Sequence, residues 1–190
     1  MFICERHSLH HGYSDIAYRL LQQTSYPSWL YSIDQGATTI WERLNSYTVE
    51  NGFGGNNSMN SFNHYSFGAV GAWMYSYSLG IQRDENEPGF KHFVLLPTPD
   101  PTGQMTFVKG HYDSMYGRIE SGWKIENGQL IYLATVPANT TATVYFPAND
   151  AAVIFEGGKP ISSVKEIQVT GKEEGYLLLK LGSGKYNFTR

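Results

Sequence analysis

Gln82-Arg-Asp-Glu-Asn-Glu-Pro-Gly89 is the stretch that divides this chain into two parts of different character. It is polar and ends in two residues that interrupt regular structure, which is typical of a linker or a surface crossing. Before it, apolar residues recur every three or four positions, and after it they recur every second position. We therefore expect a multi-domain protein, α then β, with helices over 1–88 and strands over 89–190.

Three helices are predicted before this stretch, over 13–23, 26–36 and 65–79. Ser14 is placed to cap the first helix. Pro27 suits the first turn of the second, and Gly36 suits the position that follows its end. The third helix has the clearest apolar stripe, and Trp73 is assigned to its packing face.

The second part of the chain is predicted to form an antiparallel β-sandwich. Asn127-Gly128 is a strong signal for a two-residue hairpin turn. Trp123 falls within an alternating pattern and is assigned to the core. Short strands at even spacing are typical of a sandwich. They are expected at 105–107, 118–125, 130–136, 141–146, 152–155, 164–170, 176–181 and 185–188.

Composition excludes several classes of protein. Charged residues make up 16% of the 190 residues, aromatic residues 15%, and the net charge is −3. Such a chain is globular, and it has no broad basic face for nucleic acid. Because no apolar run approaches the roughly 18 residues of a membrane span, we expect a soluble protein with no membrane partner, and its compartment, cytoplasm or periplasm, stays open. Cys4 is the only cysteine, which excludes an internal disulfide.

Two short segments carry the chemistry that the sequence offers. Gly36-Ala-Thr-Thr-Ile-Trp-Glu-Arg43 and Met59-Asn-Ser-Phe-Asn-His-Tyr65 place a carboxylate, an indole and an imidazole among small and hydroxylated residues. This combination is typical of a sugar-binding pocket. The alternative for Glu42 is a surface or interhelix ion pair with Arg43. The alternative for His64 is a structural hydrogen bond.

Other side chains can be assigned to the same pocket on their chemistry. Trp29 and Trp41 offer flat apolar faces against which a pyranose could stack, although both are equally suited to a core. Asn63 and Tyr65 are candidate lining residues. The adjacent His10-His11 point in different directions and have no helpful carboxylate nearby, so no metal site is predicted.

Several motifs occur together in one order: Asp15-Ile-Ala-Tyr-Arg-Leu-Leu21, Tyr26-Pro-Ser-Trp29, Gly36-Ala-Thr-Thr-Ile-Trp-Glu42, Ser61-Phe-Asn-His-Tyr65 and Tyr112-Asp-Ser-Met-Tyr-Gly-Arg-Ile-Glu-Ser-Gly-Trp123. In order and spacing they resemble the C-terminal part of bacterial α-L-rhamnosidases of glycoside hydrolase family 78. The resemblance extends over nearly the whole chain. It implies the last helices of an (α/α)6 catalytic barrel, followed by a C-terminal antiparallel β-sandwich.

The resemblance also implies a reaction. Members of this family hydrolyse terminal α-L-rhamnosyl linkages with inversion, which needs two carboxyl groups roughly 6.5 to 9.5 Å apart. The glutamate of the family's Thr-Thr-x-Trp-Glu stretch is the general base, and it falls on Glu42. The family's general acid lies in an upstream motif that this sequence does not contain. The chain alone is therefore expected to be inactive.

The implied partners are a rhamnose-containing glycoside and the missing barrel segment, or self-association through the exposed helical face. No cofactor is required, and although calcium is found in some family members, no ligands for it are identified here. An alternative function is a non-catalytic carbohydrate-binding or structural β-sandwich module with a helical remnant, because a sandwich by itself does not identify a function.

Overall fold

The protein is described by a computed structural model over residues 13–54, 58, 60–148 and 154–190. The chain separates into two compact units. The first, here called the helical unit, extends to Ala72 and includes Asp100–Gly103; the second, the β unit, comprises Trp73–Pro99 and Gln104–Arg190. Cys4, His10-His11 and the first two residues of the predicted strand 152–155 lie outside the described residues.

The first helix of the helical unit is α1, Ser14–Gln22. Tyr13 occupies the N-cap position and makes no side-chain capping hydrogen bond, so the predicted capping role of Ser14 was wrong. Ser14 is already the first helical residue, and its hydroxyl is therefore one position too late to cap. The apolar face of α1 contributes Tyr18 to the core, where the ring is fully buried.

The second helix, α2, is Trp29–Asp34 and begins later than predicted. Ser28 is its N-cap, and the Ser28 Oγ accepts a hydrogen bond from the Tyr31 N–H at 3.1 Å. Gly36 follows the helix with a φ of 92° and donates its N–H to the Ile33 carbonyl at 2.8 Å. The predicted stop at Gly36 is confirmed, because this backbone conformation suits glycine.

Two extended segments after α2 lie side by side. The Glu42 N–H donates to the Ser61 carbonyl at 2.8 Å, and the His64 N–H donates to the Ile40 carbonyl at 2.8 Å. These bonds join residues about twenty positions apart along the chain. They therefore place the two sequence motifs of the predicted sugar pocket next to each other.

The third predicted helix is divided into three short helical pieces. A 3₁₀ turn at Tyr65–Gly68 leads into α3, Ala69–Trp73, and a π-helical turn follows at Met74–Ser78. Gly68 and Gly71 lie in this region, and glycine costs roughly 1 kcal/mol in a helix interior. The helical periodicity was therefore predicted correctly, whereas a single continuous α-helix was not.

The β unit contains two sheets, one with the strand order β1-β2-β6-β10-β9 and one with the order β3-β4-β5-β11-β7-β8. The strands are β1 Ile81–Arg83, β2 His92–Leu95, β3 Phe107–Ser114, β4 Gly117–Glu126, β5 Gln129–Val136, β6 Thr141–Pro147, β7 Phe155–Glu156, β8 Lys159–Pro160, β9 Ile167–Glu173, β10 Tyr176–Leu181 and β11 Gly184–Thr189.

Aromatic rings and aliphatic side chains from both sheets form the core of the β unit. Phe93, Phe146 and Phe188 are fully buried. Trp123 is also in the core, as predicted, and its indole N–H donates to the Ser78 carbonyl at 2.7 Å. A buried indole N–H is costly without such a partner, so this bond fixes the π-helical turn to the sheet.

Three strands were not predicted: β1, β2 and β8. β1 begins one residue before the stretch that was expected to be a linker and extends into it, and β2 pairs with β6 in parallel, with Phe93 opposite Ala142. β2 has three consecutive buried residues, and such a run lacks the alternation that identifies a half-buried strand. In contrast, the predicted hairpin is confirmed: β4 and β5 are joined through Asn127 and Gly128, both with positive φ.

In the described ranges, no helix has the length and apolar character needed to cross a membrane.

Candidate functional site

The Glu42 carboxylate is held at the start of the second motif. Its Oε2 accepts a hydrogen bond from the Ser61 N–H at 2.7 Å, in addition to the main-chain bond between the same residues. No ion pair of this carboxylate is found among the described residues. One oxygen is thus fixed by the backbone, and Oε1 has no protein donor among the described residues.

Trp41 is positioned by packing. Its side chain is only 7% exposed and meets the Phe62 ring edge-on, with 5.4 Å between the ring centroids. Phe62 in turn contacts Phe53 at 5.6 Å. Because these aromatic contacts enclose the indole, they fix the backbone from which the Glu42 side chain projects.

Trp29 and Trp41 lie together at a small cavity of about 60 Å³ in the helical unit. The Trp29 indole N–H donates to the Phe67 carbonyl at 3.0 Å, which ties α2 to the 3₁₀ turn. Cavities that hold drug-sized ligands have volumes of roughly 300 to 1,000 Å³, so this one is too small for a pyranose. Glu42, Asn63, His64 and Tyr65 are not among its lining residues.

His64 has an unusual environment. Its Nδ1 is buried and has no hydrogen-bond partner among the described residues. Its ring is stacked on Tyr65 with 6.0 Å between the centroids, while Tyr65 itself is 87% exposed. Buried polar atoms are nearly always paired in native proteins, so the His64 Nδ1 is one of a few exceptions among the described residues.

Asn63 lies between the two ends of the second motif. Its N–H donates to the Ser61 Oγ at 3.2 Å, and its side chain is exposed. Ser61 therefore interacts with both Glu42 and Asn63, which sequence analysis did not foresee. The only signal in the sequence was its position at the start of Ser-Phe-Asn-His-Tyr, because a backbone N–H contact cannot be deduced from residue type.

No metal centre is found within the described ranges, where no group of three or more His, Cys, Asp or Glu side chains could hold an ion. Among its described residues, the helical unit presents one carboxylate held by a backbone N–H, one imidazole nitrogen without a hydrogen-bond partner, and two indoles. These are groups suited to proton transfer and to hydrogen bonding with hydroxyls.

Comparison with protein families gives matches for most of the chain. The bacterial alpha-L-rhamnosidase 6 hairpin glycosidase domain matches residues 5–78. The bacterial alpha-L-rhamnosidase C-terminal domain matches residues 80–159. The first of these ranges includes Glu42 and His64, and the second covers the first seven strands of the β unit.

Individual relatives agree with the family matches. An alpha-L-rhamnosidase of Streptomyces avermitilis is 37% identical over 179 residues, which is 94% of this chain and 16% of the relative. One from Formosa agariphila is 36% identical over 177 residues, which is 93% of this chain and 19% of the relative. The chain thus spans less than a fifth of the length of these proteins.

Solved structures show the same similarity in three dimensions. The crystal structure of Streptomyces avermitilis alpha-L-rhamnosidase complexed with L-rhamnose matches 96% of this chain with a TM-score of 0.80 and 35% identity, over 16% of its own chain. An alpha-L-rhamnosidase from Dictyoglumus thermophilum gives a TM-score of 0.77 at 32% identity, over 95% of this chain and 19% of its own. The predicted order of barrel helices followed by a β-sandwich agrees with these matches. The chain belongs to the bacterial α-L-rhamnosidase family.

Proposed function

We propose that this chain is the C-terminal part of an inverting glycoside hydrolase that releases terminal α-L-rhamnose, with Glu42 as its general base. The observation that carries the proposal is the bond from the Ser61 N–H to the Glu42 Oε2 at 2.7 Å. It directs the carboxylate while leaving Oε1 without a partner among the described residues. A general base must have such an oxygen available to take a proton from water.

In this mechanism Glu42 removes a proton from a water molecule that attacks the anomeric carbon of the rhamnosyl group. The bond to the leaving oxygen breaks, and a general acid protonates that oxygen from the opposite face of the sugar. The acid comes from a barrel segment outside this chain. Without it, one proton transfer is lost, and each such transfer contributes roughly 10²- to 10⁴-fold to the rate.

The neighbouring residues are assigned supporting roles. His64 hydrogen-bonds a sugar hydroxyl, since its buried Nδ1 has no partner among the described residues. Asn63 and Tyr65 line the pocket, being exposed next to His64. Trp41 is so deeply buried that it acts as a positioning residue for Glu42, and Trp29 lies beside Trp41 at the small cavity and supports it.

The proposal accounts for the apolar surface of the helical unit. Ile16, Leu20 and Ile33 are each about half exposed, although they are large aliphatic side chains. A soluble surface with many such residues usually marks an interface. The missing barrel segment would cover them, and in its absence the isolated chain would associate with itself.

The test begins with an aryl α-L-rhamnoside. The isolated 190-residue chain should not hydrolyse it. A chimaera in which this chain replaces the matching part of the Streptomyces avermitilis alpha-L-rhamnosidase should hydrolyse it, and NMR should detect the inverted anomer first. Turnover by the chain alone, or a retained anomer from the chimaera, would contradict the proposal.

A further inference from the structure

A second concave site lies in the β unit, on the outer face of the six-stranded sheet. Along β4, Ile119, Ser121 and Trp123 are buried in the core, so Glu120 and Gly122 project from the opposite face. A groove of about 440 Å³ crosses this face over β3, β4, β5 and β11. Its volume falls within the roughly 300 to 1,000 Å³ of small-molecule sites. The outward side chains that line it are Lys109, His111, Glu120, Leu133, Thr135 and Lys185.

Gly122 forms the floor of the groove. In the strand register it lies between Lys109 on β3 and Leu133 on β5. A Cβ at this position would lie 3.0 Å from the Val108 carbonyl oxygen and 3.1 Å from the Lys109 Cβ. The floor is therefore bare backbone, and the two flanking side chains become the walls.

The two lysines place positive charge at the two ends of the groove. Lys109 and Lys185 project from strands that are three positions apart in the sheet, which places their Cα atoms about 15 Å from each other. Neither ammonium has a hydrogen-bond or ion-pair partner among the described residues. Between them, the Glu120 Oε2 accepts a hydrogen bond from the Thr135 Oγ1 at 2.6 Å. The groove is thus cationic at both ends, with a polar centre.

The remaining charged neighbours do not neutralise the lysines. His111 lies opposite Glu120 in the register, and its Nε2 is 3.8 Å from the Asp113 carboxylate. Asp113 is itself paired with Arg118, whose Nε donates at 2.8 Å. Glu120 is therefore the one acidic side chain among the lining residues, against two ammonium groups.

We propose that this groove binds an acidic saccharide of at least two sugar units, with a uronate carboxylate held by a lysine ammonium. The aliphatic Leu133 side chain faces the C–H surface of a sugar ring, where apolar contact is favourable. The Glu120 carboxylate and the Thr135 hydroxyl oxygen supply acceptors for sugar hydroxyls. Because the lysines are far apart, an extended ligand meets both ends of the groove more readily than a single small anion does.

The inference concerns the β unit alone and does not depend on the proposed glycosidase role. The test is titration of the ¹⁵N-labelled 190-residue chain with cellobiouronic acid and, separately, with cellobiose, followed by NMR. The acid should shift the amide signals of the groove, and the neutral disaccharide should bind at least about tenfold more weakly, since a charged hydrogen bond contributes roughly 1.5 to 3 kcal/mol.

Substitutions in the groove test whether the acid binds there. At least one of Lys109→Gln and Lys185→Gln, the one at the end that holds the carboxylate, should weaken binding of the acid about tenfold, whereas Lys180→Gln, the same change on the other sheet, should leave it unchanged. Leu133→Glu should abolish binding, because it adds a carboxylate to the groove. Leu133 is 52% exposed, so this change should not disturb the fold.

Four results would overturn the proposal. The first is an absence of binding by the acid, and the second is equal binding of the acid and the neutral disaccharide. The third is a set of lysine variants that behave like Lys180→Gln. Inorganic sulfate provides the final arm: if sulfate alone shifts the groove amides at the same concentration, the groove is a simple anion site and the saccharide proposal is wrong.

Discussion

The helical unit and the β unit differ in where their large apolar side chains lie. The β unit encloses Phe93, Phe146 and Phe188 completely. Among the described residues of the helical unit, Tyr18 and Trp41 are the large apolar side chains that reach comparable burial, and Tyr65 is 87% exposed. The β unit thus has a closed core, whereas the described part of the helical unit leaves many of its large apolar side chains exposed.

The largest expected difference between the two units is the stability lost when a glycine with positive φ is replaced by alanine. Gly80 in the β unit has a φ of 82°, and an added Cβ would overlap the backbone of Leu96 and Pro97. Gly80→Ala should therefore destabilise the chain by more than about 4 kcal/mol. Gly36 in the helical unit has a φ of 92° with nothing within 4 Å of such a Cβ, so Gly36→Ala should cost only the backbone strain, about 1 to 2 kcal/mol. Urea unfolding of both variants tests this contrast, which would be lost if the two costs were equal.

The second difference concerns two phenylalanines. Phe146→Ala removes a fully buried ring from the β unit and should cost about 3 to 5 kcal/mol. Phe53→Ala removes a half-exposed ring from the helical unit and should cost about 1 kcal/mol or less. The free energy of unfolding from urea titration measures both. A cost at Phe53 as large as that at Phe146 would show that the helical unit has a closed core of its own.

The smallest expected difference between the two units is in how a tyrosine of each affects stability at alkaline pH. Burial raises the pKa of Tyr132 well above its usual value of 10.0, although the hydrogen bond with the Ser121 Oγ opposes this. The unfolded chain therefore loses this proton first, and stability should fall as pH rises above about 10, by up to about 1.4 kcal/mol per pH unit. Below that pH the group contributes no pH dependence.

Tyr132→Phe should remove most of this alkaline loss, at a cost of about 1 kcal/mol at neutral pH for the lost hydrogen bond. Burial also raises the pKa of Tyr186, so a smaller slope should persist. Tyr13→Phe, at an exposed position of the helical unit, is the matched control. The free energy of unfolding, measured between about pH 8 and about pH 11, distinguishes the two variants. If stability fell with pH as steeply in Tyr132→Phe as in the unmodified chain, the role given to Tyr132 would be wrong.

Features with a local sequence signal could be predicted, and short elements without a regular pattern could not. The hairpin at Asn127-Gly128 was predicted because its signal is local and each residue has a required backbone conformation. β1 and β2 were missed because they are short and β2 lacks alternation. The capping role of Ser14 was wrong by one position, which is within the usual uncertainty of helix ends.

The candidate site was predictable in residue type and not in geometry. Thr-Thr-Ile-Trp-Glu pointed to Glu42, yet the Ser61 N–H that holds its carboxylate lies nineteen residues further along the chain. Such a contact arises from the pairing of two extended segments, which have no regular period. The functional assignments of Glu42, Trp29, Trp41, Asn63, His64 and Tyr65 stay predictions.

The most direct test of the central claim is the kcat of the Streptomyces avermitilis chimaera with an aryl α-L-rhamnoside. Glu42→Gln should lower kcat by about 10²- to 10⁴-fold, because the variant cannot take a proton from water. Glu50→Gln, an exposed glutamate of the same unit, should leave kcat unchanged. A chimaera with Glu42→Gln that retains the kcat of the unmodified chimaera would contradict the role of this carboxylate.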